Sequence, residues 1–386
     1  MTTVSGESVF GPIAPPFPEV ERIVVLRGGG LGDLLLALPA IQALGAAYPS
    51  ARITLFGSAL HAALLRSRPG PVHDVRVLPP PNSPAEDALL DETARERVDL
   101  GVQLHGGGAW SNRFLRRTGA RWTVGSRADG AIGLTRTTPF RYYQHEMIRA
   151  LEVVGLAGAA PVTLEPRITV TADDEAAGER LVGSASGPVV TVHPSATDPR
   201  RRWPASKFAE VIEHCVRAGA DVEVIGANDD RPLLREILDR VGGCDTRRVH
   251  CLVDADMTEL CGLLTRTTVF VGNDSGPRHL AKALCIPTVG IFWIGNLVNA
   301  GPLNRANDRV LTAWTTRCQL CGATLTDEGA PRCEHDNSIV ASVTVEDVCR
   351  EVDELLTAAT VVTSLRPERR WRAAISLDAT VGDRRR

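Results

Sequence analysis

Lysine is almost missing from this chain. It occurs only at Lys207 and Lys282, so nearly all of the 43 basic residues are arginine, and no arginine is marked out merely by its type. The bias reads as that of a high-GC source. Long apolar runs are missing too: no stretch approaches the roughly 18 residues of a membrane span. The start, MTTVSGESVF, has neither the basic opening nor the apolar stretch of a signal peptide. A cytoplasmic protein is expected. Net charge is only −3, which gives no general attraction to nucleic acid. Cysteine is absent before Cys215, and the nine that follow are an odd number in a chain without a signal peptide. That argues against a disulfide framework.

At 386 residues the chain exceeds one ordinary core and suits two domains of about 150 residues each. Its organising stretch is Val269–Phe292, VFVGNDSGPRHLAKALCIPTVGIF. An apolar run is broken by Asn273, Asp274, Ser275 and Gly276. Pro277 then opens an amphipathic segment, and Pro287 precedes a second apolar run. This predicts a β-α-β unit whose loop lies at the carboxyl end of the first strand, where open parallel sheets bind ligands. Ser275, Gly276 and the free amides of the first helical turn would form an anion site. Asp274 suits an anchor or a sugar hydroxyl better than a phosphate, and simple helix capping would explain the same residues.

Residues 1–20 have no periodicity and read as a disordered or draped arm. The strand Ile23–Leu26 then leads into Arg27-Gly-Gly-Gly-Leu-Gly-Asp33 and an apolar helix. Gly28 and Gly30 fit the dinucleotide fingerprint GxGxxG, but Asp33 stands where its third glycine belongs. A carboxylate there takes the place of a pyrophosphate. Asp33 reads either as an N-terminal cap or as a base reached across a glycine floor made by Gly30 and Gly32. Strands expected at Arg52–Phe56, Val75–Leu78, Leu100–Leu104 and Arg121–Val124 continue a β-α rhythm, and His105, in the glycine turn after the fourth, is an acceptor-side candidate. Polar residues His145, Glu146 and Arg149 on a helix Tyr142–Val154 read as a solvated face. A first domain over 21–160, a linker over 161–172 and a second domain over 173–358 follow, with an Arg-rich tail over 359–386.

In the second half, His193-Pro-Ser-Ala-Thr-Asp-Pro-Arg-Arg-Arg-Trp-Pro204 follows a strand. Ser195 and Arg201 are candidates there, since three adjacent arginines call for an anion such as a diphosphate or else for solvent. Trp203 should anchor the loop by packing. Asn228, after the next strand, could face a ribose or cap a helix. Cys318-x2-Cys321 and Cys333-x-His335 supply four ligands that could close a tetrahedral structural zinc, or stand as free thiols.

Three pieces, Arg27–Asp33 with ALPAIQAL behind it, HPSATDPRRRWPASKF, and VGNDSGPRHLAKAL, occur together in an order that resembles glycosyltransferase family 9, the ADP-heptose–lipopolysaccharide heptosyltransferases. The resemblance covers about residues 22–356. It implies an α/β GT-B architecture, two Rossmann-like parallel-sheet domains facing across a cleft, with inverting transfer that needs no catalytic cofactor or metal. It also implies Asp33 as the base, and Asp274, Ser275, Gly276 and His279 as the donor loop. Arg201 stands where many members have lysine, and Asn228 lies near a position that often holds glutamate. The partners implied are an ADP-sugar donor and a glycan or glycolipid acceptor, with no nucleic acid and a peripheral association with the inner face of the membrane. If the source makes no lipopolysaccharide, the acceptor is another glycoconjugate. Asp254-Ala-Asp256 has the spacing of a metal-binding DxD, yet its place before a helix favours capping. The alternatives are a nicotinamide-dependent oxidoreductase and a non-catalytic nucleotide-sugar-binding protein.

Overall fold

In the computed structural model, residues 13–183, 185 and 187–365 are described. Two six-stranded parallel sheets carry the chain. The first comprises β1 (Arg22–Leu26), β2 (Arg52–Gly57), β3 (Val72–Val77), β4 (Leu100–Gln103), β5 (Trp122–Arg127) and β6 (Arg136–Pro139), in the order β3-β2-β1-β4-β5-β6. The second comprises β7 (Val189–His193), β8 (Asp221–Gly226), β9 (Val249–Val253), β10 (Val269–Asn273), β11 (Thr288–Trp293) and β12 (Asp308–Ala313), in the order β12-β11-β10-β7-β8-β9. In each, the order reverses beside the sheet's first strand. The crevice at such a reversal is where doubly wound sheets bind ligands, and it puts the loops after β1 and β10 in the right place.

The central strands are buried on both faces. β7 and β10 read VVTVH and VFVGN with every residue buried, as parallel sheets covered by helices require. The helix Leu31–Ala47 is buried almost all round, because one side lies on the first sheet's core and another meets the helix Gly276–Ala283 of the second half. One hydrophobic cluster therefore runs from Ile23 and Leu34 through Leu280 and Ile286. A buried bidentate pair reinforces this junction: Arg68 Nη1 and Nη2 lie 2.6 and 2.7 Å from Asp174, which opens the helix Ala172–Val182.

The structure departs from sequence expectation in several places. β6, β9 and β12 were not expected; these part-exposed edge strands lack the fully apolar run that marks the central ones. Residues 13–20 follow the draped alternative: Phe17 is buried and stacks on Trp122 at 5.1 Å, and its N–H donates to Tyr48, while most of the residues around it stay exposed. Positions 1–12 lie outside the described residues, and of the tail expected over 359–386 the stretch 359–365 continues the helix Val345–Leu365 while the rest, from 366, lies outside them. Asp256 caps the helix Met257–Arg266 by accepting from Glu259 N–H at 2.8 Å, so the DxD spacing is a capping feature. Among the described residues no helix is long and apolar enough to cross a membrane.

Candidate active site

The loop after β1 begins from a buried cation. Arg27, 4% exposed, donates from Nη1 to Leu104 O at 2.6 Å, from Nε to Asp33 O at 2.9 Å and from Nη2 to Asp33 Oδ1 at 2.8 Å. Gly30 is the N-cap, and Asp33, the third helical residue, reaches back so that its Oδ2 accepts the Gly30 N–H at 2.7 Å. Yet its side chain remains 46% exposed, and a carboxylate has about four acceptor directions. It can bond the helix start and still offer acceptor positions to solvent. Gly29 makes this geometry possible: its φ of +94° is a conformation glycine adopts readily, and a Cβ there would lie 2.4 Å from Asp33 Oδ2.

Glu146 completes the support. Its Oε2 lies 3.3 Å from Arg27 Nη2, and its other oxygen pairs with Arg149, itself buried and donating to Arg141 O at 2.8 Å. The expected solvated face is thus an internal charge network, and the neighbouring His145 Nε2 bonds Gly301 O of the second half at 2.7 Å. Glu146 reads as solvated in the sequence because its partner stands 119 positions away. His105 lies behind Gly28, with Trp110 at 5.1 Å; burial and then the charge of Arg27 lower its pKa and favour the neutral ring.

The loop after β10 is built the other way. Asp274 is buried and surrounded: His279 Nε2 donates to Oδ1 at 3.1 Å and Asn296 Nδ2 donates to Oδ2 at 2.9 Å. Arg201 Nη1 and Arg278 Nη2 stand 3.6 and 3.8 Å away. Burial alone would raise its pKa, but the His279 hydrogen bond and the charges of His279, Arg278 and Arg201 outweigh that and hold it below the usual carboxylate range. Arg278 is buried over the Phe292 ring at 4.6 Å with Nε and Nη1 unpartnered. Ser275 makes no side-chain cap; its hydroxyl instead shares a 3.0 Å hydrogen bond with His193, whose burial pushes its pKa down to about 4. The amides at the start of the helix Gly276–Ala283 are left without a side-chain cap.

The two loops meet. A Cβ on Gly32 would lie 3.0 Å from His279 Cδ2, and one on Gly276 would lie 3.1 Å from Leu31 Cβ. The loop of Gly30, Gly32 and Asp33 thus adjoins the loop of Asp274, Ser275, Gly276 and His279, with Arg201 beside Asp274. Of the triplet, Arg201 is the one that reaches Asp274. Arg200 is held by Asp198 at 2.6 Å, and Arg202 donates to Ala196 O at 3.0 Å, which corrects the expectation of a three-arginine anion site. Trp203 is buried as expected, its indole N–H donating to Val343 O at 3.1 Å. Ser195, after β7, is occupied by a hydrogen bond to Asp230, and Asn228 bonds Asp254 and Arg231, so both are engaged with the turn after β8.

Cys318, Cys321, Cys333 and His335 converge, with their ligand atoms all within 4.8 Å of one another. Cys318 Sγ is 3.8 Å from His335 Nδ1, comparable to the ligand spacing of about 3.5 Å in a tetrahedral metal site. Amide N–H groups of Cys321 and Leu320 turned to the Cys318 sulfur bring its pKa down to about 6, as suits a thiolate ligand. Three sulfurs and one imidazole fit a tetrahedral metal and leave it no open position.

The family model for glycosyltransferase family 9 (heptosyltransferase) matches residues 107–327. Lipooligosaccharide heptosyltransferase 2 of Haemophilus ducreyi is 23% identical over 284 residues, covering 69% of this chain and 81% of that one. A glycosyl transferase family 9 structure from Veillonella parvula superposes with a TM-score of 0.74 at 19% identity, covering 89% of this chain and 100% of that one. The dodecameric iron-containing heptosyltransferase TibC of enterotoxigenic Escherichia coli, in complex with ADP-D-beta-D-heptose, gives 0.55 at 16% identity, covering 89% and 78%.

Proposed function

The chain belongs to glycosyltransferase family 9, the heptosyltransferases, and from that premise we propose that it moves a heptose or related sugar from an ADP-sugar to a hydroxyl of a glycoconjugate, with inversion and with Asp33 as general base. The oxidoreductase alternative falls with the family assignment. The observation that carries the reading is the meeting of the two loops: an exposed carboxylate on one side, and on the other a helix start and Arg201, beside an Asp274 already held by His279 and Asn296.

In the step proposed, the acceptor oxygen attacks the anomeric carbon from the face opposite the diphosphate. The C–O bond to the acceptor forms, the bond to phosphate breaks, the electron pair leaves with ADP and the acceptor proton passes to Asp33. Arg201 and the amides of the Gly276–Ala283 helix stabilise the departing charge, while Arg27 and Glu146 fix the carboxylate. His105, Gly30 and Gly32 line the acceptor side. Ser195 and Asn228, occupied by protein partners, would reach the nucleoside only by exchanging them. The Cys/His cluster is a structural zinc site that takes no part in the chemistry. A cytoplasmic enzyme is the reading that goes with this donor, peripheral to the inner face of the membrane where the acceptor is a glycolipid.

Calorimetric titration with ADP and transfer assays with ADP-heptose test the proposal. Binding without turnover on any glycan or glycolipid acceptor tried would favour the non-catalytic alternative, and a product of retained anomeric configuration would refute inversion.

A further inference from the structure

The segment 314–338 that carries the four-ligand cluster has no helix or named strand, only a single bridge between Arg317 and Thr324. It nevertheless holds the cleft at three places. Just beyond His335, Ser338 Oγ donates to Arg202 O at 2.7 Å and Ile339 N–H donates to Arg200 O at 2.8 Å, so the backbone on both sides of Arg201 is tied to this segment. Between the two ligand pairs, Thr326 O accepts the Tyr143 hydroxyl of the first half at 2.7 Å. At Cys333 itself, Arg200 sets its guanidinium beside the sulfur while held by Asp198. A cavity of about 360 Å³ lies there, and its lining brings Tyr142, Arg201 and Asn296 together with Asp327, Glu328 and Cys333. Asn296 is the residue that donates to Asp274.

We propose that metal bound by Cys318, Cys321, Cys333 and His335 sets the shape of the donor cleft, so that nucleotide binding depends on a metal that touches no substrate atom. The segment has little apolar packing of its own, and the four ligands are what can close it into one conformation. Released, the stretch between Cys321 and Cys333 gains the freedom of an open loop. Its ties to Arg200, Arg202 and Tyr143 then no longer hold Arg201 in advance, and ADP must order the wall as it binds. The dependence is one of affinity rather than of chemistry. It rests on the reading of the cleft as the donor site.

The experiment compares ADP binding, by calorimetry, in metal-loaded protein and in protein stripped by chelation, with metal content measured and folding followed by circular dichroism below the melting temperature. About one zinc or iron per chain is expected. Folded, stripped protein should bind ADP roughly ten-fold more weakly, with donor KM raised, kcat at saturating donor retained, and both restored by metal. Unchanged ADP affinity in folded, stripped protein overturns the proposal, as does protein that neither contains nor takes up either metal. If stripping unfolds the chain, Tyr143→Phe and Ser338→Ala in metal-loaded protein decide it: weaker ADP binding with metal content and melting temperature held supports the coupling, and unchanged binding overturns it. Loaded protein that binds no ADP overturns the donor-site reading itself, an outcome separate from any effect of the metal.

Discussion

The loops after β1 and β10 are written alike, strand, small residues with an aspartate, then helix, and they come to opposite ends. Asp33 keeps 46% of its side chain in solvent and has one cation and one amide as partners. Asp274 is 7% exposed, takes two hydrogen bonds and has two arginines nearby. What separates them is the position of the aspartate relative to its helix. Asp33 is the third residue of its helix, reaching back over glycines. Asp274 precedes the N-cap, where the sheet edge, His279 and the following helix close over it. A carboxylate of the first kind keeps acceptor positions open to solvent, and one of the second kind is a fixed charge that orients its neighbours.

Asp274→Ala should break the comparison most severely. It leaves His279, Asn296 and two arginines around an empty site, and losing one member of a buried charged set costs about 3 kcal/mol. Denaturant unfolding should register that loss, and ADP titration a weakened donor site. Asp33→Asn should do the reverse: turnover falls roughly 10²-fold or more, while ADP affinity and melting temperature stay near wild type. If Asp33→Asn transferred sugar at near-normal rate, the base would lie elsewhere.

Acidification sharpens the contrast at the second loop. The folded-state pKa of His193 is about 4, against 6.5 for an ordinary histidine, so between those values the unfolded chain binds a proton that the folded chain does not. Its contribution to stability is fully present above pH 6.5 and is lost as pH falls towards 4, with a slope approaching about 1.4 kcal/mol per pH unit. Asp274 and His279, with lowered pKa values, act in the same direction over their own ranges. Thermal melts across this range should lose stability, and His193→Gln should flatten the curve. The smallest effect expected is that of Arg201→Lys. It keeps the charge and loses the planar fork, for a few-fold rise in donor KM seen in steady-state kinetics.

Much of this was legible in the residues because it is local. The strand–loop–helix units, the apolar central strands, the cap at Asp256 and the packing of Trp203 all follow from neighbours a few positions apart. The family's three motifs carried the cleft. The rest depends on separations that a linear reading does not bridge. Glu146 reads as a surface residue until β1 is folded against it, and Arg200 and Arg202 read as anion ligands until Asp198 and Ala196 O are found occupying them. The Cys/His spacing suggested ligands, but that the same segment reaches Tyr143 and flanks Arg201 could not be inferred from spacing.

The junction of the helices Leu31–Ala47 and Gly276–Ala283, with the Arg68–Asp174 pair beside it, also bears on how freely this protein could be recombined. Each sheet with its helices resembles an exchangeable module, and a chimaera drawing one half from a relative would be the natural way to mix acceptor and donor preferences. Here the seam is part of the interior. A transplanted half would bring its own side chains to a face already shaped for Leu34, Leu280 and a bidentate guanidinium, so the graft would have to include the opposing helix surface as well.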